Sequence, residues 1–352
     1  MAFNVDVFGK CAATGVGSVP FTDTAETIRT AVDGCPEIPY LPQQPKNSFL
    51  EDMCPQVLEG FPGVQVDKEN HRVWVDTSCD CGNDIMALIE SYESGQIDGF
   101  GISRERASGF FAVLDYLETS SPGRLPVLKG QLVGPATLGQ GLLDQDGTAI
   151  IHNPVFGELV SQLLVVKARW LVQQMRNVAD SVVLVYDEPS LSALGSAYFS
   201  LDHGKVESLL DAVIEPLARD GVAVGVHCCG NSDWSVFLDR TDVVSFDAFS
   251  YFEKMSVYSD AINRFYDRGG VLAWGIVPTL ELTDDITEDM LVDKLDSNMN
   301  SLAQTGIDLD VVRSRAVVTP ACGMGSLSIE KARRVAELTA GVAHRCKAMY
   351  FS

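Results

Sequence analysis

An apolar run at 222–226 ends in His227-Cys228-Cys229, a second at 243–246 ends in Asp247, and a third at 316–320 leads into Ala321-Cys322-Gly323. Imidazole, thiolate and carboxylate are metal donors, and zinc takes Cys and His readily. Donors this far apart in sequence describe a site assembled on a scaffold, not a zinc finger. Three protein ligands with one exchangeable position form a catalytic rather than a structural arrangement. On this reading His227, Cys229, Cys322 and Asp247 make one zinc site from three strand ends. The competing reading is that these are ordinary buried residues, since Cys is often buried. Cys228 alternates to the other side of its strand and packs there.

Other residues carry two readings. Asp187-Glu188-Pro189 ends another apolar run. One carboxylate there either faces a pocket and holds a substrate ammonium group, or the pair serves a helix N-terminus. Gly17-Ser18 either offers an N–H and a hydroxyl to a substrate carboxylate or makes a tight turn before Pro20. Gly134-Pro135-Ala136-Thr137 lacks the Gly-Lys-Ser/Thr ending of a phosphate loop. Cys79-x-Cys81 reads as two free cysteines rather than a second metal site.

Eight strand-like runs position these residues: 11–16, 37–41, 127–132, 182–186, 222–227, 243–247, 271–276 and 316–319. Helical patterns follow most of them, among them 24–32, 154–179, 205–219 and 328–349. Between the second and third runs lies a long excursion, 42–125. It reads as a helix at 48–58, a hairpin of 64–66 with 72–75, and helices at 83–92 and 104–118. The pattern predicts one domain over 1–352, an α/β (β/α)8 TIM barrel with the excursion inserted after the second strand. A dinucleotide-binding fold lacks its Gly-x-Gly-x-x-Gly here, because Pro20 follows Gly15 and Gly17.

The net charge is -22. No excess of Lys or Arg exists to contact phosphates, so nucleic-acid and anionic-membrane surfaces are excluded as partners. Nine scattered cysteines, an odd number, point to a reducing, cytoplasmic compartment rather than a disulfide framework. The first ten residues lack a basic start followed by an apolar core, and no apolar run reaches the ~18 residues of a membrane span.

Taken together, Val16-Gly17-Ser18-Val19-Pro20, Gly134-Pro135-Ala136-Thr137, Asp187-Glu188-Pro189, His227-x-Cys229 and Pro320-Ala321-Cys322-Gly323 resemble the catalytic barrel of cobalamin-independent methionine synthase. That family sits in a wider uroporphyrinogen-decarboxylase-like group. The resemblance implies zinc on His227, Cys229 and Cys322. Its fourth ligand is a Glu where this chain has Asp247, one methylene shorter. It implies that Asp187 holds the amino group of homocysteine and that Gly17 and Ser18 receive the carboxylate. Glu51 is the nearest match to a further Glu that binds the amino group. The chain starts at the catalytic barrel, like the short, core-only members. For those the expected methyl donor is a methylcorrinoid, methylcobalamin or a corrinoid protein, instead of a methyl-folate.

The expected activity is therefore a zinc-dependent methyltransferase that forms methionine. A methyltransferase for another thiol, coenzyme M, is the first alternative, and Asp187-Glu188 favours a substrate with an ammonium group. A porphyrinogen decarboxylase would need an Arg-rich N-terminal run, and Arg29 stands alone. A corrinoid carrier would need Asp-x-His-x-x-Gly, which is absent.

Overall fold

The computed structural model describes residues 8–120, 123–196 and 199–351. Its strands are β1 (Ala12–Ala13), β2 (Val64–Asp67), β3 (Arg72–Val75), β4 (Leu125–Val133), β5 (Ala179–Asp187), β6 (Ala223–Cys228), β7 (Val243–Phe246), β8 (Val271–Val277) and β9 (Ala316–Pro320). Seven of the described strands form one curled, parallel sheet in the order β1-β9-β8-β7-β6-β5-β4, and β2 pairs with β3 as an antiparallel hairpin. This is a TIM-barrel-like α/β fold.

The expected second strand, 37–41, is reduced to bridges. Pro36, Pro39 and Pro42 remove backbone donors that a ladder would need. The segment still touches both edges of the sheet. Lys129 N donates to Pro39 O at 2.9 Å and Leu41 N to Lys129 O at 3.0 Å. On the other side Val19 N donates to Gln43 O at 2.8 Å and Gln43 N to Gly17 O at 3.3 Å.

Strand alternation divides the core in two. Val183 and Val185 on β5, Val271 and Ala273 on β8, and Val317 on β9 belong to a small apolar cluster inside the curl. Their neighbours of opposite parity, such as Leu184, Tyr186, Val226, Phe246 and Trp274, join a much larger cluster under the helices. A sheet buried on both faces explains why its strands read as nearly continuous apolar runs.

The helices Phe156–Val178, His203–Arg219 and Ile329–Phe351 match the expected ones closely. The helices Ala248–Met255, Ser259–Asp267 and Glu288–Ala303 add to them. Residues 42–125 carry a 3-10 turn Phe49–Glu51, a helix Met53–Val57, the β2–β3 hairpin and helices Gly82–Ser94 and Ser108–Ser120. None of the described helices is long and apolar enough to cross a membrane.

Candidate metal centre

The inward parity that gives the apolar cluster at the strand starts gives chemistry at the strand ends. Two residues beyond Val185 comes Asp187, and beyond Ala223 and Gly225 comes His227. Two beyond Val243 comes Ser245, and two beyond Val317 comes Thr319. The register sets Asp187 beside His227 and His227 beside Ser245. Cys228 has the other parity and is buried in the outer cluster.

His227, Cys229 and Cys322 converge, with their ligand atoms all within 4.8 Å of one another. Donors bound at 2.0–2.3 Å to a tetrahedral ion lie about 3.4–3.8 Å apart. A closure of about an ångström therefore seats one ion. His227 Nδ1 and Ser245 Oγ are hydrogen-bonded at 2.9 Å. With Nδ1–H given to that hydroxyl, Nε2 is the free electron pair, and it is buried without a partner among the described residues. The two thiols are hydrogen-bonded to each other and pull in opposite directions. Cys229 is drawn down, first by the hydrogen bond from Cys322 and then by His227. Cys322 is pushed up, first by that same hydrogen bond and then by burial. This imidazole and dithiol donor set suits a soft or borderline cation.

The trio opens into a cavity of about 480 Å³, also lined by Ser18, Gln43, Lys46, Glu51, Asp52, Asp187 and Ser326. That size suits a small-molecule site. Asp187 is 7% exposed and its Oδ1 has no partner among the described residues. Burial raises its carboxyl to about 6, against the pull of His227 and Lys129.

Asp247 comes one residue after Phe246, which pairs with Cys228 in the register. It does not line the cavity, and its carboxylate accepts from Ser250 N at 2.8 Å as the N-cap of Ala248–Met255. A short polar side chain at a strand end that is also a helix start satisfies a helix donor first. Glu51 lines the cavity but is 1% exposed, with both oxygens taking hydrogen bonds from Ser108 at the start of helix Ser108–Ser120. Ser18 lines the cavity and its Oγ accepts from Gly325 N at 3.1 Å. A Cβ at position 323 would run into that hydroxyl, so Gly323 is required for this approach. Gly17 sits behind Ser18 and packs on Gln131, where a Cβ would come within 2.9 Å.

Two polar residues of the interior, Lys129 and Gln131, escaped the sequence reading, and Glu188, named there, serves the start of a helix. Lys129, inside an apolar run, donates to Val16 O at 2.7 Å and to Gln131 Oε1 at 3.2 Å. Gln131 in turn donates to Leu41 O at 2.5 Å. This chain of bonds ties the loops after the first two staves to β4. Burial lowers the Lys129 ammonium to about 8. Glu188, fully buried, accepts from Ala136 N and Thr137 N at 2.8 Å and from Thr137 Oγ1 at 2.6 Å. Its own N–H donates to His227 O at 2.8 Å. It clamps the ends of β4, β5 and β6 together, and a Cβ at position 134 would collide with it. The signal for Lys129 was a charged residue within an apolar run.

No known protein family and no curated protein matches the sequence. Similar solved structures include a putative vitamin-B12 independent methionine synthase from Listeria monocytogenes. It has 12% identity and a TM-score of 0.55, over 94% of this chain and 86% of that one. A B12-independent methionine synthase from Shewanella sp. W3-18-1, in complex with selenomethionine, has 16% identity and a TM-score of 0.44. That match covers 63% of this chain and 62% of the Shewanella chain, less than two thirds of its length. At these identities the likeness speaks for the fold.

Proposed function

We propose that the chain is a zinc-dependent methyltransferase that moves a methyl group onto the thiol of homocysteine and releases methionine. The observation that carries this is the convergence of His227, Cys229 and Cys322 in a cavity that also holds Asp187 and Ser18. The barrel is read as eight-staved, with 37–41 as the second stave. The domain is read as one unit over 1–352, with 42–125 inserted and supplying Lys46, Glu51, Asp52 and Met53 to the cavity wall.

Zinc, when bound, lowers the pKa of a thiol so that the sulfur is a thiolate, and hence a nucleophile, at neutral pH. Everything else is the work of this chain. Ser245 fixes the ring of His227 so that Nε2 faces the cavity. Glu188 locks three strand ends into one geometry. Asp187 receives the substrate ammonium and Ser18 its carboxylate, which supplies orientation rather than proton transfer.

Two indications of the methyl donor differ. The expectation from the sequence is a methylcorrinoid, whereas the Listeria neighbour is described as a putative vitamin-B12 independent methionine synthase. Zinc-loaded protein is therefore assayed for methionine from homocysteine, with methylcobalamin and methyltetrahydrofolate offered separately. Turnover with either donor supports the reading and names the donor. No turnover with either, in protein confirmed to hold zinc, removes homocysteine as the acceptor of these donors.

A further inference from the structure

We propose that Cys11 and Cys346 form a peroxide-sensitive dithiol that closes into a disulfide and staples the first stave to the last helix. The two residues are far apart in the sequence. One stands just before β1 (Ala12–Ala13) and the other within the last two turns of helix Ile329–Phe351. The fold sets them side by side at the strand-start end, away from the cavity. Both are fully buried, and their thiols are hydrogen-bonded to each other. Ala12 faces the inner apolar cluster, so Cys11, of opposite parity, faces outward to the helix.

Buried cysteines are commonly no more than small apolar packing. Three observations go beyond that. Cys11 and Lys10 before it have φ of 56° and 52°, in the left-handed region that side chains disfavour. Lys10 N donates to Ser314 O at 2.8 Å and Cys11 N to Ala316 O at 2.7 Å, which holds the turn in place. Strain of this kind persists where the surroundings fix it, and it gathers at functional places. Second, Cys346 has a polar setting. It hydrogen-bonds to Tyr350, one turn on, whose hydroxyl donates to Asp296 Oδ1 at 2.9 Å. Arg313 donates to the same oxygen at 2.9 Å, and its guanidinium carbon lies 4.3 Å from the centroid of the Tyr350 ring. Cys346 is the thiol drawn down, first by the hydrogen bond from Cys11. Cys11 is the one pushed up, first by that bond and then by burial. The pair thus has the asymmetry of a reactive and a resolving cysteine. Third, the seam beside them is thin, because β1 is a two-residue strand at the edge of the seven-stranded sheet.

The chemistry balances with hydrogen peroxide as the oxidant. The Cys346 sulfur attacks one peroxide oxygen, the O–O bond breaks, and water leaves, giving a sulfenic acid. The Cys11 sulfur then attacks the Cys346 sulfur. Its proton joins the departing hydroxide and a second water leaves. Two thiols are oxidised by two electrons in all, and one peroxide becomes two waters. Access comes through the end of the helix, where Met349 and Phe351 are exposed. Such ends open at less cost than global unfolding. In a reducing compartment the bond forms under oxidant and is undone by thiols. Once closed, it ties the edge stave that leads to Gly17 and Ser18 to the helix packed beside it.

The test is peptide mapping of the alkylated full chain before and after hydrogen peroxide. Thermal melts of the wild type, Cys11→Ala and Cys346→Ser accompany it, with circular dichroism to check that each variant is folded. The expected result is a linked pair of peptides carrying Cys11 and Cys346, parted again by dithiothreitol. Oxidation should raise the wild-type melting midpoint by at least about 4 °C, and neither variant should show the rise. Recovery of Cys11 and Cys346 as free thiols, while peroxide oxidises other cysteines, would overturn the proposal. So would oxidation of either one without a link between them. A link that leaves the midpoint unchanged would overturn the staple. The wild-type map decides the chemistry even if a variant fails to fold, and none of these outcomes depends on zinc.

Discussion

The two ends of the same inward face make opposite use of one alternation pattern. At the strand starts it places Val183, Ala223, Val243, Val271 and Val317 in a dry apolar plug. At the strand ends it places Lys129, Gln131, Asp187, His227 and Ser245, all buried and all polar. The plug holds through dispersion and loss of water contact, which tolerate no gaps. The mouth holds through hydrogen bonds that cross strands, and among the described residues it leaves Asp187 Oδ1 and His227 Nε2 unpaired. Unpaired buried polar atoms cost stability, so their clustering beside two cysteines marks where the fold gives up stability for chemistry.

Substitutions should therefore separate along this line. The largest effect is expected for Cys322→Ser, which should lower zinc affinity by more than about a hundredfold, beyond the ~10–100-fold typical of outer partners. The thermal midpoint of the zinc-free protein should barely move. Next comes Ser245→Ala, with a zinc affinity loss in that ~10–100-fold range because His227 loses its orienting partner; Ser245→Thr should keep most of the affinity. If Ser245→Ala bound zinc normally, the orienting role would be excluded.

In the plug, Val185→Ala should cost about 2 kcal/mol of stability in denaturant melts and leave zinc affinity intact. Loss of zinc in that variant would erase the distinction between plug and mouth.

A last effect, seen only as pH is varied, concerns a lysine in the helix layer outside the sheet. Lys167 is fully buried in helix Phe156–Val178, donates to Gly101 O at 2.8 Å, and is lowered by burial to about 7. Its unfolded value is about 10.4. Between those values the unfolded chain binds the extra proton, so stability rises with pH from about 7 to 10, by up to about 1.4 kcal/mol per unit. Lys167→Met should flatten that rise. An unchanged slope would place the titration elsewhere.

Much of this organisation was legible in the sequence because the strands end where the chemistry begins. His227, Cys229, Cys322 and Asp187 each follow an apolar run, and the structure brings all four to one cavity. Four features were not legible, for different reasons. The prolines around 37–41 left a stave held only by bridges. Asp247 sits at a strand end that is also a helix start, and only the following turn, with Ser250 N as donor, reveals which demand it meets. Ser245 matters through its pairing with His227, a cross-strand relation fixed by register and invisible in a single strand. Glu188 likewise acts through loops some fifty residues away, at Ala136 and Thr137.

The most direct test of the metal centre is zinc content after purification and exhaustive dialysis, for the wild type and Cys322→Ser side by side. The account predicts about one zinc per chain in the wild type and essentially none in Cys322→Ser. Equal zinc in both, or none in the wild type even after reconstitution under reducing conditions, would contradict it.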